Sequence, residues 1–343
     1  MRFTLFLLSL MVFATLSAQK SDRTSLFNAL YQQDSIRLTL TYPFDSLNKT
    51  NNNEIDALIS IETDSGYLMN NEPLTINIRG KYRRMKCDFP PLLLNFKKSL
   101  LKSLNLADVD EMKLVTHCID GDQGLQNLEE ERLLYQAYES ATPHSYRTIW
   151  VTATYCDSNH PDSTQTNSGF LLEPDRDIAS RLGTTEKKVF NPGEDSLQFE
   201  SYGNTAAFNF MIGNMDWSVV AARNAKLFYD PSIRKYVVIP FDFDFSNVVA
   251  PSYRRITLPK TMFHQYDRIY QGEYFTDKAG DMLKNFYKSR DAVLNTIDTA
   301  PNPINAERRG QIHKYFEQWF EMVRKHKAYE LLFGCVCPYK GGL

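Results

Sequence analysis

The chain has 343 residues and a formal net charge of −2, so it lacks the broad basic field by which proteins hold nucleic acid or an anionic membrane. Hydrophobic residues make up 43% of the chain and aromatic residues 13%, which excludes an intrinsically disordered polymer and supports a full core. The length suits one large domain or two lobes around a cleft. We therefore expect no nucleic-acid partner.

The first residues have the pattern of a secretory signal peptide. Arg2 supplies a positive charge, residues 3–16 are mostly apolar, and small residues precede Gln19. This pattern predicts a leader over residues 1–18 that is removed on export. We expect a periplasmic, cell-surface or secreted protein. No later stretch is apolar enough to cross a bilayer, so we expect no transmembrane segment in the mature chain.

Residues 19–168 are predicted to be rich in β-strands. Runs in which apolar and polar residues alternate, such as residues 36–40 and 74–79, are separated by turn-forming clusters such as residues 48–53. Leu92–Phe96 continues the series, which is typical of antiparallel strands. One helix is expected near residues 125–140, with an acidic run in its early turns, where the helix dipole favours negative charge.

A dense basic patch follows the strand at residues 74–79, and it consists of Lys81, Arg83, Arg84 and Lys86. The patch suits either a solvated hairpin tip or a surface that faces phosphate, and the sequence leaves both open. Five cysteines in an exported chain permit disulfides, with at least one thiol left unpaired. Cys87 and Cys118 lie just outside two predicted strands and are candidates for a pair.

Residues 169–343 are predicted to be mainly helical. Helical spacing of apolar residues is found at 176–182, 205–212, 277–297 and 306–333. Gly183 follows the first of these helices and is the type of residue that ends a helix in a left-handed conformation. The helix at 205–212 is apolar on nearly every side, so we expect it to be buried.

The most informative motif lies between residues 213 and 245. Asp216 follows the apolar helix, Asn224 comes eight residues later, and two short strands then lead to Asp242 and Asp244. Phosphoryl-transfer sites use an Asp that orients or deprotonates the acceptor hydroxyl, followed by an Asn and an Asp that hold Mg²⁺. The motif therefore predicts Asp216 as the catalytic base. It predicts Asn224, Asp242 and Asp244 as ligands of Mg²⁺ or Mn²⁺.

Seven short motifs follow one another along the chain, at residues 78–83 (IRGKYR), 87–92 (CDFPPL), 113–118 (KLVTHC), 131–135 (ERLLY), 169–173 (GFLLE), 213–217 (GNMDW) and 240–245 (PFDFDF). In this order they resemble the spore-coat CotH kinase family, and more closely the CotH-like proteins that Bacteroidetes-type bacteria export. The resemblance implies an α+β, two-lobed atypical protein-kinase-like fold. Its small lobe would be mainly antiparallel β over residues 19–168, and its large lobe mainly helical over residues 169–343.

The resemblance also implies ATP as substrate and assigns residues to its binding. Glu131 would lie on the αC-like helix near residues 125–140 and pair with the cation that clamps the phosphates. Arg79 and Gly80 would take the place of a glycine-rich loop, and Arg79, Lys97 and Lys81 are the candidate clamping cations. Glu173 ends the strand at residues 169–173, whose edge would meet the adenine base.

Two functions stay open at this point. The first is an exported kinase that transfers the γ-phosphate of ATP to an unidentified acceptor, with a protein serine or threonine favoured. The alternative is a catalytically impaired pseudokinase that acts as a secreted or cell-surface binding or assembly protein. Two features favour the alternative. Kinase catalytic loops usually place the Asn five residues after the Asp, where this chain has Ala221, and the strand Leu92–Phe96 contains no lysine.

Overall fold

The computed structural model describes residues 23–47, 54–254, 267–301 and 303–325. Its first seven strands are β1 (Ile36–Tyr42), β2 (Ile55–Thr63), β3 (Gly66–Ile78), β4 (Leu92–Phe96), β5 (Glu111–Val115), β6 (Thr148–Asp157) and β7 (Thr164–Leu172). These strands form a closed barrel in the order β1-β2-β3-β4-β5-β7-β6. The predicted leader at residues 1–18 lies outside the described residues.

The barrel shows that the predicted fold class is wrong. We expected a two-lobed kinase-like fold with a small antiparallel sheet lobe, whereas the chain forms a closed, mixed seven-stranded barrel with helices. Closure comes from parallel pairing of β1 with β6, from Arg37 opposite Thr152 to Tyr42 opposite Asp157. Alternation along a strand predicts which face is buried, but it does not say which distant strand becomes the neighbour. The parallel contact was therefore not visible in the sequence.

Alternating apolar residues fill the inside of the barrel. Leu40, Ile59 and Leu94, on three different strands, are fully buried. Successive side chains of a strand point to opposite faces, so these residues share one interior while their neighbours face outward. Each buried aliphatic side chain stabilises the fold by about 1.5–3 kcal/mol relative to its exposed state. The same alternation that predicts the strands thus also accounts for the core.

The helices are α1 (Leu26–Leu30), α2 (Lys81–Lys86), α3 (Lys98–Ser103), α4 (Asp122–Ala141), α5 (Asp175–Leu182), α6 (Phe199–Ile212), α7 (Ala279–Tyr287), α8 (Arg290–Thr299) and α9 (Ala306–Lys325). The predicted helices near 125–140, 176–182 and 205–212 are confirmed as α4, α5 and α6. Gly183 ends α5 in the predicted left-handed conformation. The segment predicted as one helix at 277–297 is divided into α7 and α8, and the predicted end at residue 333 lies outside the described residues.

Helix α6 is buried along residues 201–212, as its apolar sequence predicts. Phe208 of this helix packs against Phe243, with ring centroids 5.3 Å apart. Phe243 is itself fully buried and lies in the acidic turn at residues 240–245. The central helix therefore anchors that turn in the core.

A second sheet brings the two halves of the acidic motif together. It contains β8 (Thr185–Lys187), β9 (Ala225–Asp230) and β10 (Lys235–Pro240), in the order β10-β9-β8. Strands β9 and β10 pair antiparallel, with Ala225 opposite Pro240. Asn224 therefore lies beside Phe241, whose backbone NH donates to the Asn224 carbonyl at 3.0 Å. This register explains how Asn224 and Asp242, distant in sequence, reach one place.

The basic patch forms helix α2 rather than a hairpin tip. Cys87, which follows α2, forms a disulfide with Cys118 in the loop after β5, so the suggested pairing is confirmed. Cys156 is a free thiol on β6. Within the four described ranges, no helix has both the length and the apolar character required to cross a bilayer.

Candidate functional site

One buried guanidinium joins three acidic side chains. Arg83, on α2, lies 3.1 Å from Glu131 of α4 and 2.8 Å from Asp242. Its Nη2 lies 3.0 Å from Asp244, and its Nε donates to the same carboxylate at 3.1 Å. A buried charge is tolerated where partners replace its lost hydration. Arg83 and these three acids, here called the Arg83 cluster, join α2, α4 and the acidic turn.

Burial dominates the electrostatics of the Arg83 cluster. Burial raises the pKa of Glu131 to about 7, while Arg83 opposes the shift and Asp242 adds to it. Burial also raises the pKa of Asp244 well above its ordinary value, against the lowering effect of Arg83. Burial alone would lower the pKa of Arg83, but the three carboxylates raise it well above its ordinary value. One guanidinium does not balance three carboxyl groups, and the raised pKa values of Glu131 and Asp244 mean that protons take up part of the excess. A bound cation could replace those protons.

The Arg83 cluster borders a cavity of about 50 Å³, which Arg79 also lines. Within the described part of the chain, the Arg79 side chain has no ion pair and no hydrogen bond, and only its backbone NH donates, to Pro91 at 2.8 Å. Burial lowers the pKa of Arg79, and the charge of Asp242 opposes that shift. A guanidinium presents several donors in a planar fork and suits phosphate or carboxylate. Arg79 therefore has donors suited to an anion and no ion-pair partner within the described chain.

Asp216 and Asn224 meet although seven residues lie between them. The Asn224 side-chain amide donates to the Asp216 carboxylate at 3.0 Å and to the Asp216 carbonyl at 2.6 Å. Between them, Ser218 and Arg223 exchange two backbone hydrogen bonds, of 2.9 and 2.8 Å. Residues 218–223 form a closed turn that accommodates the longer spacing, so Asn224 returns to Asp216. The longer spacing therefore does not separate the two predicted site residues.

Asp216 is half-buried and close enough to the acidic turn to be affected by its charge. Burial raises the pKa of Asp216, Arg223 lowers it, and the charge of Asp242 raises it further. The Arg223 Nε lies 3.3 Å from Asp216 Oδ1. A raised carboxyl pKa favours proton acceptance, because a base is most effective when its pKa lies near the working pH. The structure thus brings Asp216, Asn224 and Asp242 into one region.

The acidic turn presents both of its acids to Arg83. Phe243, between them, points into the core, where it packs 4.7 Å from the ring of Tyr135. Asp242 has a positive φ of 64°, and its backbone NH donates to the Tyr135 hydroxyl at 2.8 Å. The buried aromatic residue therefore sets the direction of Asp242 and Asp244.

Glu173 is held in a different cluster. It is fully buried, and its carboxylate lies 2.6 Å from Arg147 and 2.9 Å from Arg181. The backbone NH of Arg147 donates to Glu173 at 3.0 Å as well. Both carboxylate oxygens are thus engaged by the protein, and the structure does not bring Glu173 to the Arg83 cluster.

The cation beside Glu131 differs from the expected one. The candidates were Arg79, Lys97 and Lys81, with Arg79 or Lys97 expected beside Glu131, but Arg83 pairs with Glu131. Lys97 precedes α3 and lines another cavity, of about 410 Å³. The sequence signal for Arg83 was its place in the basic patch. The sequence left a solvated hairpin tip and a phosphate-facing surface open, but it did not indicate a helix, which directs one of its sides inward.

A second charged group near the cavity was also missed. Asp175, at the start of α5, accepts hydrogen bonds from Lys113 at 3.2 Å, Lys226 at 2.5 Å and the Tyr146 hydroxyl at 2.6 Å. Burial lowers the pKa of Lys113 to about 8, Asp175 opposes the shift, and Arg79 and Lys226 add to it. A lysine in the middle of an apolar strand was the available signal. The group adds positive charge from Lys113 and Lys226 and negative charge from Asp175 near Arg79.

The chain matches no protein-family model and no curated protein. The resemblance to CotH-like kinases rests on its motifs and stays a prediction.

Proposed function

We propose that this chain is an exported, magnesium-dependent phosphotransferase that passes the γ-phosphate of ATP to a serine or threonine of a protein. One observation carries the proposal. Arg79 has no anion partner and lines the same cavity as the carboxylates of the Arg83 cluster, and Asp216 lies near Asp242. Phosphoryl transfer requires cations for the phosphates, oxygen ligands for Mg²⁺ and a group that positions the acceptor hydroxyl. All three kinds of group occur in this region.

Arg79 is the residue best suited to bind the phosphates of ATP. Its guanidinium has no partner to give up within the described chain, so binding an anion would satisfy donors that are otherwise idle. The neighbouring Arg83 is committed to three carboxylates and is less able to turn toward a ligand. Lys113, near Arg79, adds positive charge when it is protonated. Phosphate binding at this point would also relieve the repulsion among these cations.

Mg²⁺ would be held by Asn224, Asp242 and Asp244, and when bound it would neutralise charge on the transferring phosphates. The donor set fits, because Mg²⁺ needs only one or two protein carboxylates when phosphates and water complete its shell. The Asp242 side chain is 39% exposed, and Arg83 contacts only its Oδ1. Among the described residues, no three His, Cys, Asp or Glu side chains are grouped to hold a metal ion by themselves.

Asp216 would act on the acceptor. The hydroxyl oxygen of the acceptor attacks the γ-phosphorus, the bond from that phosphorus to the β-phosphate oxygen breaks, and ADP leaves. The hydroxyl proton passes to Asp216. Burial and the charge of Asp242 both raise the pKa of this carboxyl. Asn224 donates to the Asp216 carboxylate and so limits its orientation. Positioning and charge neutralisation would provide most of the rate acceleration.

The cavity must enlarge before it can admit ATP. Its volume of about 50 Å³ suffices for only a few water molecules. Pockets for ligands of nucleotide size occupy about 300–1,000 Å³. Helix α2 has six residues and is attached by the Arg83 ion pairs and by the disulfide that follows it. A shift of α2 would open the cavity and release Asp242 to a metal ion.

A second candidate function is binding or assembly without catalysis. The observation that favours it is that Arg83 already contacts the carboxylates that Mg²⁺ would need, and Asn224 is bonded to Asp216. If α2 does not move, the charges of the Arg83 cluster serve stability rather than catalysis. Such a chain would keep its surface for a partner and transfer no phosphate.

Phosphate transfer from γ-labelled ATP tests the proposal. We expect the mature chain with Mg²⁺ or Mn²⁺ to label itself or dephosphorylated casein. Asp216→Asn should lower the rate by about 10²–10⁴-fold with nucleotide affinity nearly unchanged, because the base contacts the acceptor. Asp195→Asn, at an exposed acid, is the matched control and should leave the rate unchanged. Nucleotide binding without transfer, or the absence of both, would contradict the phosphotransferase and favour the second function.

A further inference from the structure

The turn between Asp216 and Asn224 is held by one distant carboxylate. Glu273 Oε1 accepts a hydrogen bond from the Ser218 hydroxyl. Glu273 Oε2 accepts from the backbone NH of Val219 at 2.8 Å and from that of Val220 at 3.0 Å. Three consecutive residues of the turn therefore donate to a single side chain. Charge-assisted bonds of this kind are stronger than neutral ones.

Glu273 is itself fixed to the core. Its backbone NH donates to the Tyr202 hydroxyl at 2.6 Å, and the NH of Tyr274 donates to the same hydroxyl at 2.8 Å. Tyr202 is fully buried on α6, the helix that leads into the turn. The first half of the turn is thus attached to α6 in two ways, through the chain and through the hydrogen bonds of Glu273.

The backbone of the turn needs such support. Ala222 and Asn224 have positive φ values of 48° and 49°, a conformation that residues other than glycine rarely adopt. Such conformations persist where surrounding contacts enforce them. The Ser218–Arg223 backbone pair closes the turn at its base, and Glu273 binds its first half. Asn224 follows directly and bonds to Asp216 only if the turn keeps this shape.

We propose that Glu273 is a positioning residue, which returns Asn224 to Asp216 by fixing the turn at residues 218–223. The inference rests on the proposed function for its effect on catalysis, but the structural part is independent of it. Glu273 does not contact Asp216 or Asn224 directly and acts through the turn. A shorter loop would fix the position of Asn224 relative to Asp216 by its length alone. In this chain the contacts of Glu273 with the turn serve that purpose.

Amide hydrogen exchange and the Asn224 side-chain amide resonance test the structural part. In Glu273→Ala, exchange at Val219 and Val220 should accelerate about tenfold or more, because local opening no longer breaks bonds to a carboxylate. The Asn224 side-chain resonance should move toward that of a free amide. Glu273 is exposed, so the variant should keep the cooperative unfolding of the parent. Glu273→Gln keeps one acceptor oxygen and should recover part of the protection.

Glu194→Gln is the matched control. Glu194 is also exposed and accepts the NH of Phe275, two residues after Glu273, at 2.5 Å, but it has no bond to the turn. This control should leave exchange at Val219 and Val220 and the Asn224 resonance unchanged. Unchanged exchange in Glu273→Ala, or equal acceleration in the control, would overturn the inference.

Steady-state kinetics test the catalytic part. Displacement of Asn224 and Asp216 should lower kcat of Glu273→Ala by about 10–100-fold, because small misplacements of catalytic groups are costly. KM for ATP should rise less than kcat falls, because Asn224 is one of three proposed metal ligands and Arg79, which would bind the phosphates, is unchanged. A loosened turn with unchanged kcat would overturn the positioning role. A parent chain that transfers no phosphate would contradict the proposed function, while exchange and the Asn224 resonance would still decide the inference.

Discussion

Two buried clusters of arginine and carboxylate differ in their balance of charge. In the Glu173 cluster, two arginines, Arg147 and Arg181, surround one fully buried carboxylate. In the Arg83 cluster, one arginine faces three carboxylates, and the Asp242 side chain is 39% exposed. The first cluster is closed by the protein's own groups. The second has more carboxyl groups than cations, and it lies beside a cavity.

The difference distinguishes structural from ligand-binding use of the same chemistry. A carboxylate whose oxygens are all engaged has nothing to offer a ligand, whereas an acidic group with too few cations attracts one. Arg79 shows the converse, since it is a cation near the same cavity with no anion partner within the described chain. We infer that the Arg83 cluster and Arg79 bind a ligand that carries both positive and negative charge, such as a metal phosphate. The Glu173 cluster instead stabilises the fold.

The largest loss of stability should follow from removing the carboxylate of the Glu173 cluster. Glu173→Ala leaves two arginines without their buried partner, and we expect the free energy of unfolding to fall by about 3–5 kcal/mol. Urea denaturation would measure it. Glu186→Gln is the control, because Glu186 pairs with Lys226 at an exposed site, and its effect should stay within about 0.5 kcal/mol. A Glu173→Ala loss no larger than that of the control would contradict a structural role for the cluster.

Removal of Arg83 should cost less, with a specific dependence on pH. Arg83→Met leaves three carboxylates, but Glu131 and Asp244 already have raised pKa values and can take up protons. We expect a loss of about 1–3 kcal/mol near pH 5. Urea denaturation from pH 5 to pH 8 would measure both proteins.

The sign of that pH dependence follows from linkage. A carboxyl with a raised folded-state pKa stabilises the fold when protonated, and this contribution is lost as pH rises through the folded pKa, about 7 for Glu131. Without Arg83 the pKa of Glu131 rises further. The stability gap between parent and Arg83→Met should therefore widen as pH rises. A constant or narrowing gap would contradict the excess of carboxyl groups over cations in this cluster.

The smallest expected effect follows from substitution of Asp242, the partly exposed acid of the Arg83 cluster. Asp242→Asn should weaken Mg²⁺-dependent nucleotide affinity by about tenfold, or ~1.4 kcal/mol, because one charged ligand of the metal is lost. Nucleotide affinity without Mg²⁺ should change little. Calorimetric titrations with and without Mg²⁺ would separate the two. An equal loss in both titrations would mean that Asp242 contacts no metal.

Local patterns predicted the elements of this fold better than their arrangement. Alternation and helical spacing located most strands and helices, and the order Asp216, Asn224, Asp242 marked residues that the structure brings together. The parallel contact of β1 with β6 depends on packing between distant segments, which no local pattern records. Arg83 was missed for a related reason. Its burial follows from the helical form of α2 and from three acids on other elements.

The central claim is that Arg79 and the Arg83 cluster form a site for Mg²⁺-ATP. Calorimetric titration of Mg²⁺-ATP into the parent chain, Arg79→Met and Lys97→Met tests it most directly. We predict that the parent binds and gains about 2.7 kcal/mol of stability at 100 times Kd. Arg79→Met should bind about tenfold or more weakly, because a charged phosphate contact is lost. Lys97→Met, in another cavity, should match the parent. No binding by the parent, or equal affinity in all three proteins, would contradict the account.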